Sequence, residues 1–430
     1  MPKTPLWLSL LLLIFVLLAA GYAKVSPYRT PGVVLLQGGV AVPDIGAPDE
    51  RQHVNMVRTI RDTKSLPIFD PKSPTLAEDY EYHQPPLFYI LAVPFYGSDG
   101  FPIRALNILI GVFTLVGLFW VGKHATGRDE VGLGVASIGL LPMFVALHGA
   151  VSNDPLLICL LTWSLVWMFR SDLSATKPLI LCGACTGLAL LTKSSGLVML
   201  PVLMWFGIQH FRQTPRAWIP FGVACALGSI VWVRNTALYG DPLGQRVFTE
   251  AFVGTAQAEM FINELGLSGY LTRFVFDWTS RSFVGAFGYM DIFFMREVYQ
   301  VAFAGLFVAA LGWLLAMRKP EDRVEVRGKA WLWLLAGFTF LLYARINMQY
   351  FQSQARYLFP AVATLGMLFG GGAALLSRRF GWGVFAAALV ALNLYALSIL
   401  PFEFERRAQR NPVASILVQQ EGDIHAHADW

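Results

Sequence analysis

Acids, cations and imidazoles recur along this chain in an order that sets a chemical problem. Asp49-Glu50 follows Pro48, and His53 comes four residues after Asp49. Further on stand Glu81-Tyr82-His83-Gln84-Pro85-Pro86-Leu87-Phe88-Tyr89, Val151-Ser152-Asn153-Asp154-Pro155, Lys193, Arg234-Asn235, Tyr239-Gly240-Asp241-Pro242 and Ala355-Arg356-Tyr357-Leu358-Phe359-Pro360. A carboxylate with several cations suits group transfer from a phosphate: the acid takes the proton of an attacking hydroxyl, and the cations stabilise charge on the departing phosphate. Glycosyl transfer, with its oxocarbenium-like transition state, has that need. On this reading Asp49 is the general base, Glu50 and Asp154 are supporting acids that orient the acceptor or a cation, and Lys193, Arg234 and Arg356 hold a donor phosphate. His53, His83, Gln84, Tyr89, Tyr239 and Tyr357 are candidate substrate contacts, and Phe88, Tyr82 and Trp278 could complete apolar and aromatic walls.

Each residue has a plainer alternative. Asp154-Pro155 has the form of a helix cap followed by a first-turn proline. Lys193, Arg234 and Arg356 could snorkel to lipid phosphates, and Asp49-Glu50 could simply start a surface helix. Asp49 and His53, four apart, share a helical face, a spacing compatible with a divalent cation. No metal site is assigned, and no cofactor follows from the sequence.

The elements that must position these groups are membrane spans. The chain has 430 residues, 55% hydrophobic and only 14% charged, with a mean hydropathy of +0.53. A soluble domain carries roughly 25% charged residues, so this composition describes an integral membrane protein. The net charge of +5 is spread in short clusters between apolar runs, which argues against nucleic acid. About 20 apolar residues cross a bilayer as a helix. Candidate spans are Leu6–Tyr22, Ile103–Val121, Val131–His148, Pro155–Phe169, Pro178–Thr192, Gly196–Phe211, Trp218–Val233, Val298–Met317, Ala330–Ala344, Tyr357–Leu376 and Trp382–Leu400. The expected fold is an all-α polytopic membrane protein of about eleven transmembrane helices with a long first extracytoplasmic loop. Val33–Val42 is too short to span, and Leu6–Tyr22 reads as a retained helix rather than a cleaved signal.

Lys and Arg fix the expected direction. Gly122–Glu130, Arg170–Lys177, Arg212–Arg216, Arg318–Lys329 and Ser377–Arg379 are all basic and fall on one side, assigned to the cytoplasm with the N-terminus. The long segments 23–102 and 234–297 and the tail 401–430 then lie outside, with 1–400 as a single transmembrane catalytic domain. Asp49, Asp154, Lys193, Arg234 and Arg356 all reach that outer face. Cys159, Cys182, Cys185 and Cys225 sit in apolar spans and read as packing residues. Gly183-x-x-x-Gly187 and Gly366-x-x-x-Gly370 read as close helix contacts. His425 and His427 belong to a tail expected to be disordered.

These motifs, taken in order from the first span to the tenth, resemble the GT-C superfamily of polyprenyl-phosphate-sugar-dependent glycosyltransferases, which includes protein O-mannosyltransferases and lipid A aminoarabinose transferases. The pieces that carry the resemblance are Pro48-Asp49-Glu50-Arg51-Gln52-His53, the Glu81–Tyr89 segment, Ser152-Asn153-Asp154, Arg234-Asn235 with Tyr239–Pro242, and Ala355–Pro360. The resemblance implies a catalytic acid on the first outer loop, matching Asp49, juxtamembrane helices in that first extracytoplasmic loop, and a second acid near the third and fourth spans, matching Asp154. It implies an isoprenoid-phosphate sugar donor, undecaprenyl phosphate in bacteria, and inversion at the anomeric centre. It also implies a lipid, glycan or protein acceptor and a place in the bacterial inner membrane. About thirty residues follow Leu400, in place of the large C-terminal domain of many members, so acceptor recognition is expected from 23–102 and 234–297. The competing readings are a lipid or solute transporter and a non-catalytic polysaccharide-assembly subunit. Transporters usually show internal repeats and broken helices at the midplane, and no repeat of the Asp-Glu or Gln-Pro-Pro elements occurs here.

Overall fold

The computed structural model describes residues 4–28, 46–97, 100–171, 173–253, 256–318 and 324–410. Val33–Val42 and the His425/His427 tail lie outside the described residues. Every one of the eleven apolar segments is helical, but they do not all have the length of a span. Among the described residues, seven helices are long and apolar enough to cross a membrane: Thr4–Val25, Phe101–Thr126, Pro215–Tyr239, Arg296–Ala316, Lys329–Gln349, Ala355–Leu376 and Gly381–Arg407. Asp129–Leu140 and Pro142–His148, which meet at 68°, are together apolar enough for one more span and form either a broken span or a re-entrant loop. The bend sits at Leu141, whose extended backbone (φ −61°, ψ 129°) is what the residue before a proline prefers.

The expected count of eleven crossings is not confirmed by helix length. Asp154–Phe169 and Thr176–Thr192 have 16 and 17 residues. At 1.5 Å per residue each reaches about 24–26 Å, short of a hydrocarbon core about 30 Å thick. Leu200–His210 is an 11-residue helix continuing a 3-10 stretch, Ser194–Met199. The last helix also runs on past Leu400 to Arg410, carried by Glu403, which pairs with Arg406 and Arg407 one turn on.

Small residues bring the helices close. A Cβ on Gly370 would strike the carbonyl of Gly134, and one on Gly134 the carbonyl of Gly370. Cβ atoms on Gly183 and Gly187 would meet Pro220 and Leu227. Both glycine pairs are thus helix–helix contacts, as small residues are in membranes. The four cysteines are free, and the Ser164 hydroxyl sits 3.4 Å from Cys182 Sγ between two helices.

Between the first two spans the described chain folds as a small helical layer: Glu50–Thr63, Leu76–Asp79, a 3-10 turn Tyr80–His83, and Leu87–Ala92. Its apolar residues form a second core in which Val54, Val57, Phe88 and Tyr89 pack with Ile103, Val151 and Leu156. A third cluster joins Phe69, Leu76 and Tyr80 to Val247 and Ala251 of the helix Gln245–Ala251. The layer is clamped from below by the span ends and from the side by the second long loop. Charged residues at the helix ends are thereby removed from water.

Candidate functional site

Asp49 caps the helix Glu50–Thr63 with its backbone, in the left-handed region (φ 64°), and its side chain makes no capping bond. Asp tolerates this region better than most residues, because its short polar side chain can bond locally. The turn sends the Asp49 carboxylate away from the helix. Oδ2 accepts a hydrogen bond from Arg356 Nη2 at 2.6 Å, and Oδ1 accepts one from the Tyr80 hydroxyl. Arg356 itself is 6% exposed, and its Nε is buried with no hydrogen-bond partner among the described residues.

A second ion pair stands beside the first. Asp154 begins the helix Asp154–Phe169 without a side-chain capping bond, and its Oδ1 accepts from Lys193 Nζ at 2.5 Å. Lys193 follows the helix Thr176–Thr192 in extended backbone, so its ammonium points back toward Asp154 rather than out to lipid. The ring of Tyr357 joins the two pairs: Lys193 Nζ lies 5.8 Å from its centroid and the Arg356 guanidinium carbon 5.3 Å. Two cations within about 6 Å of one aromatic ring, each held by a carboxylate, form a compact charged cluster. Capping and snorkelling therefore do not account for Asp49, Asp154, Lys193 or Arg356.

A polar network backs this cluster. His53 Nδ1 lies 2.9 Å from the Tyr89 hydroxyl and 3.4 Å from Glu81 Oε2, and the Tyr89 hydroxyl donates to Glu81 at 3.2 Å. Asn153 Nδ2 donates to the Tyr89 hydroxyl at 3.3 Å and to Gln84 Oε1 at 3.5 Å. His83 Nδ1 meets the Tyr80 carbonyl, its Nε2 lies 3.0 Å from Gln84 Nε2, and its ring packs between Phe69 and Phe248.

Burial and charge set the protonation states. Burial pushes the Asp49 carboxyl up, but the Arg356 charge and the Tyr80 hydroxyl outweigh it and hold it down at about 2. Burial drives His53 to about 3 and His83 to about 4, so both imidazoles are neutral at pH 7. Glu81 moves the other way: burial, reinforced by the Asp49 charge, lifts it to about 8.

Other expected members lie apart from the two pairs. Glu50 is turned away from Asp49's partners and bound bidentately by Arg104, with Nε to Oε1 at 2.8 Å and Nη2 to Oε2 at 2.6 Å; both side chains are 3% exposed. Glu50 Oε1 also accepts from the Val151 amide at 2.8 Å. Arg234 donates to the Pro67 carbonyl at 2.7 Å, and the Tyr239 hydroxyl accepts from the Phe69 amide at 3.0 Å. These two residues hold the loop 67–69, and neither has a described bond to the paired charges. Phe88 lies wholly inside the second core. The Tyr82 hydroxyl pairs with Thr59, and Trp278 packs on Phe293 and Phe351.

Arg104, Tyr80, Asn153 and Glu81 join the site without having been expected there from the sequence. Arg104 carried a signal, since an arginine in the first turn of an apolar span must find a partner. Glu81 lay inside a quoted motif, and only the fold shows it buried. Among the described residues, no group of three or more His, Cys, Asp or Glu side chains is arranged to hold a metal.

The model of the dolichyl-phosphate-mannose-protein mannosyltransferase family matches residues 83–234. That stretch contains His83, Gln84, Tyr89, Asp154, Lys193 and Arg234. No curated protein gives a match. Among solved structures, the chain resembles ArnT from Cupriavidus metallidurans bound to undecaprenyl phosphate, at 13% identity and a TM-score of 0.54, covering 96% of this chain and 72% of that one. The same protein in the apo state matches at 15% identity and a TM-score of 0.50, over 88% of this chain and 61% of that one. The expected resemblance holds at the level of the fold: the chain is a multi-pass helical membrane protein whose fold is similar to that of ArnT.

Proposed function

We propose that this protein is a glycosyltransferase that moves a sugar from a polyprenyl phosphate, undecaprenyl phosphate in bacteria, to an acceptor outside the cytoplasm, with inversion and with Asp49 as general base. The observation that carries the reading is the pairing of Asp49 with Arg356 and of Asp154 with Lys193 around the Tyr357 ring. A carboxylate held near 2 is ionised, as a proton acceptor must be, but it is weakly basic while Arg356 neutralises it. A donor phosphate arriving over Tyr357 would share Arg356 and Lys193. Asp49 would then lose part of its counter-charge and become a stronger base when substrate is in place. Arg356 Nε, without a partner among the described residues, offers such a phosphate a donor that costs no existing bond.

Transfer is a single displacement at the anomeric carbon. The acceptor hydroxyl oxygen bonds to that carbon, the bond from the carbon to the phosphate oxygen breaks, and polyprenyl phosphate leaves with the electron pair. The hydroxyl proton passes to Asp49. Lys193 and Arg356 stabilise the phosphate charge as it grows, where water is excluded and such contacts are strong. Asp154 holds Lys193 in place, and Glu50 serves the fold of the loop through Arg104. Arg234 supports the loop and is left out of the donor-phosphate set. His53, His83, Gln84 and Tyr89 line the side of the site toward the sugar.

The fold's likeness to a protein solved with undecaprenyl phosphate supports this donor class, and the basic loops support an outward-facing site in a bacterial inner membrane. The test is purified protein with a panel of isoprenoid-phosphate sugars, reading release of the lipid phosphate and stereochemistry of the product. Asp49→Asn should abolish transfer while the protein still inserts in the membrane. Full turnover by that variant would remove Asp49 from the mechanism, and translocation without transfer would favour a transporter.

A further inference from the structure

The helix Gln245–Ala251 has two faces with different surroundings. One face packs on the first loop: Phe248 lies 5.0 Å from His83, Phe252 just beyond the helix lies 5.8 Å from Tyr80, and Val247 and Ala251 are buried with Phe69 and Leu76. Tyr80 in turn donates to Asp49. The opposite face lines an open cleft of about 520 Å³, bounded on its far side by Arg345 and Gln349 at the end of the helix Lys329–Gln349, with Gln245, Arg246, Thr249, Glu250 and Arg345 all exposed. Its polar lining is Gln245, Arg246, Thr249, Glu250, Arg345 and Gln349.

The charge of this lining is unbalanced. Among the described residues, neither the Arg246 nor the Arg345 guanidinium makes a hydrogen bond or a close ion pair, and Arg246 has only the longer-range attraction of the Asp241 carboxylate. Glu250, the single acid in the lining, faces Lys72 of the first loop at 3.8 Å. A cleft with two arginines and two amides presents many donors and little negative charge, which matches an oxyanion. Asp241 fixes the start of the helix by accepting from the amides of Leu243 and Arg246, both at 3.0 Å, so Arg246 is presented from a firm turn.

We propose that this cleft holds an anionic group, a phosphate or carboxylate, carried by the acceptor substrate, one helix away from Asp49. The proposal rests on the sugar-transfer reading above and adds the acceptor's chemical class. It also gives the second long loop a role in transfer, because the helix that braces Tyr80 also contacts the acceptor.

The experiment uses the full chain in phosphatidylcholine nanodiscs, with methyl glucoside and methyl glucoside 6-phosphate as a matched probe pair. Calorimetry without donor should show the phosphorylated probe binding about tenfold or more tightly than the neutral one, the range of one or two charge-assisted hydrogen bonds. Arg246→Gln with Arg345→Gln should bring that ratio to about one, and Arg246→Lys with Arg345→Lys should keep part of it. Equal binding of the two probes by the wild-type protein overturns the proposal, as does a preference that survives the double glutamine substitution. Because binding is read without turnover, failure of every sugar donor would count against the transfer reading alone. If phosphatidylglycerol in the nanodisc displaces the phosphorylated probe through the same two arginines, the cleft is a lipid-headgroup site and the acceptor proposal falls.

Discussion

Arg104→Gln is expected to be among the most damaging single substitutions outside the paired charges. Arg104 donates to both oxygens of Glu50 and to the carbonyls of Ala23, Ser26 and Pro27, so one side chain ties the end of the first span to the first-loop helix and the second span. Removing it leaves the Glu50 carboxylate 3% exposed with only the Val151 amide as a described partner. Breaking one side of a buried ion pair costs about 3–5 kcal/mol, because the remaining charge is uncompensated. The three carbonyls lose donors as well, at about 1–3 kcal/mol for any that water cannot reach. A loss of at least about 3 kcal/mol follows.

Glu50→Gln combined with Arg104→Gln removes both charges and leaves two amides able to bond each other. The double variant should therefore cost less than the sum of the singles by about 1–3 kcal/mol. Equilibrium unfolding in mixed detergent micelles, followed by tryptophan fluorescence, measures all three variants. Transfer activity per folded molecule should also fall in Arg104→Gln, since Glu50 is the neighbour that anchors the left-handed turn at Asp49. Stability of Arg104→Gln within about 0.5 kcal/mol of wild type, the range of an ordinary surface change, would refute the reasoning. So would strict additivity in the double variant, because it would mean that the pair is not coupled.

Glu81 should set the alkaline limit of activity. Its carboxyl is neutral below about 8, and ionisation adds a negative charge near Asp49, opposed by Lys193 and Arg356. The KM for donor should rise about tenfold per pH unit above that point, and Glu81→Gln should flatten the profile; an unchanged alkaline limb would exclude Glu81. The same raised pKa means that stability is fullest below the unfolded carboxyl range and falls as pH climbs toward 8. Lys193→Gln and Arg356→Gln should each lower kcat/KM about a hundredfold, as for loss of one donor to a developing oxyanion; normal kinetics in either would separate that cation from the phosphate. Arg234→Gln, which frees only the Pro67 carbonyl, should cost no more than about tenfold, so a loss equal to that of Arg356→Gln would restore Arg234 to the phosphate site.

The apolar segments were legible because a lipid-facing helix must be apolar over most of its length, and each of the eleven is helical here. Their number as crossings was not, since that depends on where helices stop and bend. The kink at Leu141 comes from Pro142, and Asp154–Phe169 and Thr176–Thr192 stop at 16 and 17 residues. Asp154, Lys193 and Arg356 were visible as charges at helix ends, where an unpaired group is costly to bury. Their sharing of the Tyr357 ring was not, because nothing in a run of apolar residues encodes which helix ends meet.

The adjacent acids Asp49 and Glu50 show where the limit lies. Side by side in sequence, they read as one catalytic pair. A single left-handed residue sends the first carboxylate to Arg356, on the far side of the chain in sequence, and leaves the second for Arg104. Hydrophobic periodicity carries no information about a positive φ at one position, and aspartate only permits it. What selects it is the match between two cations and two acids, one pair wholly buried and the other opening on a ring that a phosphate could share. The division of labour between structural and chemical acid therefore lies in that turn, and Asp49→Asn and Glu50→Ala should fail differently. The first keeps a residue that tolerates the left-handed turn and an oxygen for Arg356, so it should lose sugar transfer at the smaller stability cost, while the second leaves Arg104 uncompensated at 3% exposure and should lose stability first; equal destabilisation by both would show that the turn does not divide their roles.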